Sequence, residues 1–219
     1  MSRKLREIKK VFKIFCEGDS EYNYFDSMKR ERKLSLAIKL VNMKGGGYGN
    51  FLEKIREDGN TNCLAKFIII DGDRAFADEA EKAKLKEMLD YCMLQNKNNR
   101  IAHIVIVNFP NFEYVACLHT MKYQGQNVEQ YITRELKYKD LADFKADSQL
   151  YNVLNSKGNS CDLMIQKINQ STKLIENDIS VNRSNYEIKV KTVCNWNNLG
   201  KKGTNINDFF ETVEKMIGA

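Results

Sequence analysis

The chain has 219 residues, 42% of them hydrophobic and 29% charged, with a formal net charge of +6. That is enough for one generous domain, or a domain with an appendage, and the composition is that of an ordinary globular protein. No run approaches the roughly 18 apolar residues of a membrane span, and the basic start "MSRKLREIKK" leads only into "VFKIFC", too short and too charged for a signal-peptide core, so a cytoplasmic protein is expected.

Six cysteines stand far apart, with no Cys-x-x-Cys pair, and His103 and His119 are the only histidines. This argues against a zinc site and for reduced, mostly buried thiols. Basic residues cluster at 3–10, at 29–33 and at Lys201–Lys202. Each cluster fits a solvated face; with the positive net charge they also fit a polyanion partner.

In chain order, Val11–Cys16 predicts a strand, followed by a helix over Ser20–Lys33 with Ser20 as N-cap. Ser35–Met43 predicts a second strand, "KGGGYGN" a turn, and Phe51–Glu57 a helix. Lys66–Ile70 is the third strand, Phe76–Gln95 a long amphipathic helix, Ile101–Val107 the fourth strand and Phe112–Met121 a helix. The alternation predicts an α/β fold: a mostly parallel four-stranded sheet flanked by helices. Beyond about residue 122 the pattern changes. Val128–Tyr138, Lys139–Leu154, Cys161–Asn177 and Asn205–Ile217 predict helices, and "YEIKVKTV" (186–193) a possible strand. The expected division is a core over 1–122 and a mainly helical C-terminal extension over 123–219, packed on that core.

Ligand sites of open parallel sheets form outside the carboxyl ends of the strands. Strand one is followed by "CEGDSE", with Glu17, Asp19 and Glu21; strand three by "DGD", Asp71 and Asp73; strand four by "NFPNFE", with Asn108 and Glu113. Side chains two apart in an extended segment point the same way, so Asp71 and Asp73 are expected to face one point, with Gly72 leaving room for the backbone. Such a pair is protonated or holds a cation between its members, and hard oxygen ligands are how proteins hold magnesium. Taken singly, each acid has a plainer role: Asp-Gly is a turn pair, "EGDSE" can be a solvated loop, and Glu113 can be a first-turn acid favoured by the helix dipole. Their recurrence at corresponding strand ends favours a common site. "KGGGYGN" lacks the Gly-Lys-Ser/Thr ending of a phosphate loop and fits a strand-to-helix turn better.

"VFKIFCEGDSEYNYF", "FIIIDGDRA" and "VNFPNFEYVACLHT" together resemble RloB-like proteins over about residues 11–120. There the first strand ends in Cys-Glu-Gly, a later one in Asp-x-Asp, and an Asn-Pro-x-Phe-Glu segment follows. Here Phe109 separates Asn108 from Pro110, and acidic or small residues follow Gly18. The resemblance implies a Toprim domain, a Rossmann-like metal-binding fold shared with topoisomerases, DnaG-type primases and OLD-family nucleases. It implies that Glu17 serves in proton transfer and metal contact, that Asp71 and Asp73 bind Mg2+ or Mn2+, and that Glu113 is a further ligand. It also implies a nuclease of bacterial anti-phage defence, acting on DNA or RNA, transfer RNA included, with a defence-system protein or a second copy as possible partners.

The chemistry of the residues agrees with that expectation. Magnesium in an acidic cluster polarises a phosphodiester and activates water without histidine or cysteine. Basic flanks hold the phosphate backbone, and Arg74 suits either a phosphate contact or a salt bridge to a neighbouring acid. One rival is a HAD-like phosphohydrolase with Asp71 as nucleophile and Asp73 as acid/base, although Ala75 stands where that pattern has Thr or Val. Another is a non-catalytic module that binds nucleic acid or a partner protein.

Overall fold

Near-continuous apolar runs make strands that must be covered on both faces, and four of them form the centre of the molecule. β1 (Val11–Cys16), β2 (Ala37–Asn42), β3 (Ala65–Asp71) and β4 (Ala102–Phe109) pair in parallel in the order β2-β1-β3-β4. The structure is a computed structural model that describes residues 11–59, 63–98 and 101–218; the basic cluster at 3–10 lies outside them. Among the described residues no helix is long and apolar enough to cross a membrane.

Side chains alternate across the sheet. Phe12, Ile14, Phe67, Ile69, Ile104 and Ile106 face one layer, which contains α1 (Asp19–Arg32), α5 (Phe112–Leu118), α9 (Cys161–Ile168) and α10 (Asn207–Ile217). Phe15, Ile68, Ile70, Val105 and Val107 face the other, with α2 (Gly47–Glu57) and α4 (Glu79–Asn98). Phe209 of α10 meets Phe25 and Phe67 edge-to-face, with ring centroids 5.0 Å apart in each pair. Burying a ring of this kind contributes about 1.5–3 kcal/mol. Cys16, Cys92, Cys117 and Cys161 are buried thiols.

Several expectations are corrected. The long helix begins as two: α3 (Asp73–Ala77) and α4 are separated by Asp78, whose extended backbone and carboxylate cap α4 through the amides of Ala80 and Glu81, at 2.6 and 3.3 Å. The sheet has a fifth strand, β7 (Gly203–Thr204), antiparallel to β4 at Asn108 and Phe109. Two residues carry no period, so pattern reading could not see it. The single helix expected over Cys161–Asn177 ends at Ile168, and β5 (Ile175–Asn182) pairs antiparallel with β6 (Glu187–Cys194). The alternation of β5 is broken in sequence by Asn177 in its apolar row. That amide donates to Val105 O at 3.1 Å and Asp208 Oδ2 at 2.8 Å, so its partial burial leaves its donors satisfied.

The second half supplies part of both layers: α10 covers the first, and Leu174 and Ile175 enter the second. Its short helices α6 (Val128–Arg134), α7 (Leu141–Ala146) and α8 (Leu150–Leu154) break up the two longer ones expected there. α7 and α8 lie against α1.

His103, beside Lys66 in the strand register, is 1% exposed, and its Nδ1 donates to Ile101 O at 3.0 Å. Burial, reinforced by Lys66, pulls its pKa down from 6.5 to about 4. A base depressed in the folded state binds its proton more readily unfolded, so stability is full above the unfolded value and is lost as pH falls. Between pH 6.5 and about 4 the urea midpoint of the wild type should therefore fall more steeply than that of His103→Gln. Identical slopes would exclude the effect.

Candidate active site

The parallel order sets the carboxyl ends of β1, β3 and β4 side by side, with Asp71 opposite Asn108 in register. Outside that edge lies a cavity of about 280 Å³. Glu17, Asp19, Glu21, Asp71, Asp73 and Glu113 line it. Two cations, Arg74 and Lys145, reach the same cavity. Six carboxylates thus face two positive groups. Every acid singled out from the strand ends is present in one place.

Each is held differently. Glu17 follows β1, and its Oε2 accepts the Asp71 amide at 2.8 Å. Its Oε1 stands 3.9 Å from Nε of Arg74, a loose ion pair on a half-exposed guanidinium. Gly18, not Ser20, is the N-cap of α1. Ser20 instead donates its hydroxyl to Glu113 Oε1 at 2.7 Å, tying α1 to α5. Glu21 turns back so that Oε2 accepts the Gly18 amide at 3.2 Å. Glu113 lies in the first turn of α5, which Asn111 caps through the Tyr114 amide at 3.2 Å. Lys145 of α7 reaches Glu113 Oε1 at 3.3 Å.

The extended arrangement expected for "DGD" is corrected. The strand ends at Asp71; Gly72 turns to φ −96°, ψ −4°, and Asp73 opens α3. The two aspartates still line the same cavity. Space at Gly72 is tight: a Cβ would stand 3.1 Å from the Phe109 ring and 3.3 Å from Val107, so a larger residue would have to push these neighbours aside. The turn is braced by Tyr48 of α2, whose hydroxyl donates to Asp71 O at 2.6 Å and accepts from the Ala75 amide at 3.3 Å. "KGGGYGN" is a turn running into α2, as expected, and Lys44 through Gly47 all have positive φ, up to 102° at Gly46. The Gly45 amide donates to Glu17 O at 2.8 Å, joining this turn to the site. Asn108 is fully buried, and its Oδ1 accepts from the Thr204 hydroxyl at 2.8 Å, so it fastens β7.

The electrostatics follow from burial and crowding. Burial, then Glu113 and Glu17, push Glu21 up to about 8. Burial, then Glu21, Glu17, Glu113 and Asp73, push Asp71 well above the usual carboxylate range. Burial also raises Glu17, against the pull of the Asp71 amide and Arg74. Lys145 is lowered by burial but raised further by Glu113, so its ammonium is held more firmly than usual.

Asp71 Oδ1 is shielded from solvent and has no hydrogen-bond partner. Among the described residues no group of three or more His, Cys, Asp or Glu side chains stands placed to hold a metal ion. The donor set is nonetheless all hard oxygen, the donor type that magnesium takes, and Asp71 Oδ1 is without a partner on a residue that lines the cavity.

Lys145, Tyr48 and Ser20 escaped the sequence reading as site residues. Ser20 is a cap signal by type, and Tyr48 is one aromatic in a glycine turn. Lys145 is one lysine among many, brought in only by the packing of α7 on α1.

Fold and site together define an α/β protein with a carboxylate pocket at the carboxyl edge of a mostly parallel sheet. The chain belongs to the RloB-like protein family, whose sequence model it matches over residues 12–210. No curated protein and no solved structure matches it.

Tyr48→Phe keeps the ring but leaves the Asp71 carbonyl and the Ala75 amide without a partner. It should cost about 1–3 kcal/mol in urea denaturation. A change within error would show that the brace is dispensable.

Proposed function

We propose that this chain is a magnesium-dependent nuclease of Toprim type that hydrolyses phosphodiester bonds of DNA or RNA in bacterial anti-phage defence. One observation carries the reading: the shielded, unpartnered oxygen of Asp71 among carboxylates from three strand ends. The defence role rests on membership in the RloB-like family. The catalytic core of the proposal is 1–122, with 123–219 as an extension that contributes Lys145.

Asp71, Asp73, Glu113 and Glu17 would hold the ion, and manganese accepts the same donors. When bound, it would polarise the phosphodiester and lower the pKa of a water. The remaining work falls to the chain. Glu17 is fixed by the Asp71 amide and raised by burial, which suits a group that takes and returns a proton. Arg74, half-exposed at the rim, is free to leave its long pairing with Glu17 and meet a phosphate oxygen. Lys145 balances the charge of Glu113.

Asp71→Ala and Asp73→Ala should each abolish divalent-dependent cleavage of labelled DNA or total RNA while retaining the wild-type circular dichroism spectrum. Full activity in either variant, or in EDTA, would sink the proposal. Independently of turnover, Mg2+ should raise the wild-type melting temperature with increasing concentration, by linkage to the folded state. Asp71→Asn should lose that response; an equal rise in both would place the ion elsewhere.

A further inference from the structure

We propose that Phe76 is a stacking platform for one unpaired nucleobase, so that the substrate is single-stranded beside the cleaved phosphate. This rests on the nuclease reading of the acid pocket. Phe76 is 62% exposed, the most exposed aromatic ring among the described residues. A single exposed ring needs no explanation by itself; its place beside the two aspartates gives it one.

Its place is fixed. Phe76 lies one helical turn beyond Gly72, its amide donating to Gly72 O at 3.2 Å, and Gly72 stands between the two aspartates. Phe109 meets it edge-to-face, centroids 5.4 Å apart. Gly200 lies flat against the ring: at φ +95° its missing Cβ would fall 2.5 Å from Phe76 Cε2. The ring is thus backed on one side and open on the other, held by contacts that leave it few other positions.

The surroundings carry both signs: Asp78 and Glu79 follow Phe76 and are exposed, while basic residues come from its own helix and from the segment after Gly200. Lys201 and Lys202 follow Gly200, both exposed, and neither forms an ion pair among the described residues; their ammonium groups donate to Asn198 Oδ1 and Gly125 O. Arg74 lies two residues before Phe76 and is half-exposed. A rigid aromatic ring flanked by basic side chains is the arrangement that tracks a single strand, with the base on the ring and the phosphates on the cations. A duplex gives such a ring a base face only by unstacking a base step, at a cost of about a few kcal/mol, whereas a single strand offers one without that cost. A protein partner would call for a broader apolar patch than one ring.

The test is fluorescence anisotropy with labelled single-stranded DNA and RNA oligonucleotides, and with duplexes of the same sequence. The full chain carries Asp71→Asn so that nothing is cut. Phe76→Ala should weaken single-strand binding about tenfold and leave duplex binding unchanged. Phe76→Tyr, which keeps the ring, should restore it; Phe76→Leu, which keeps bulk without a π face, should not. Melting temperatures within error of the parent exclude a folding effect, and Phe76→Leu serves if Phe76→Ala fails to fold. Equal losses on single strand and duplex, no loss at all, or a changed oligomeric state instead would overturn the proposal. Cleavage by the wild type is scored separately. A chain that binds single strands through Phe76 but cuts nothing refutes the nuclease reading and keeps the platform; one that cuts but ignores Phe76 does the reverse.

Discussion

Carboxylates crowded out of water at one edge of a sheet impose the constraint on which the rest of the site depends. An ionised carboxylate removed from water without a partner is expensive, and like charges beside it add to the cost. Part of the charge is met within the chain. Glu17 has the Asp71 amide, Glu21 the Gly18 amide, and Glu113 the Ser20 hydroxyl and Lys145. Asp71 Oδ1 has none of these. The remainder is taken up by a proton, as the raised values at Glu21 and Asp71 express, or by a cation.

The sheet makes that crowding unavoidable. Parallel pairing in the order β2-β1-β3-β4 places every carboxyl end at the same edge, and the register puts Asp71 directly opposite Asn108. The edge is then locked from both sides. On one, Tyr48 bridges the end of β3 and the start of α3. On the other, Thr204 bonds Asn108, and the Asn205 side chain takes the Val107 amide and gives to the Val105 carbonyl, each at 2.9 Å. Asn205 thereby supplies by side chain the pairing that a longer β7 would have supplied by backbone. The second half of the chain is consequently part of the frame of the site.

The strongly patterned parts were legible in the sequence. Apolar runs gave all four parallel strands, β1 to the residue and the others within a few residues; β1, β3 and β4 are buried on both faces, which leaves little alternative composition, while β2 is the half-exposed edge strand. Glu17, Asp71, Asp73 and Glu113 were recognisable because strand ends in such a sheet share an edge. What failed has particular causes. β7 is too short to have a period. Asn177 hides the alternation of β5 because its polar side chain is satisfied only by atoms distant in sequence. Ser20 looked like a helix cap and is a buried donor to an acid 93 residues away.

The sequence by itself determined which residue types stand at the ends of the strands, and therefore that acids gather at one edge, because residue spacing and strand burial are local properties. Only the tertiary structure decided how that charge is balanced. The helical turn at Gly72, the unpartnered Asp71 oxygen, the arrival of Lys145 from α7 and the exposed ring of Phe76 against Gly200 all depend on contacts between segments far apart in the chain. Desolvation and hydrogen bonding act through distance in space, and no local pattern encodes that distance.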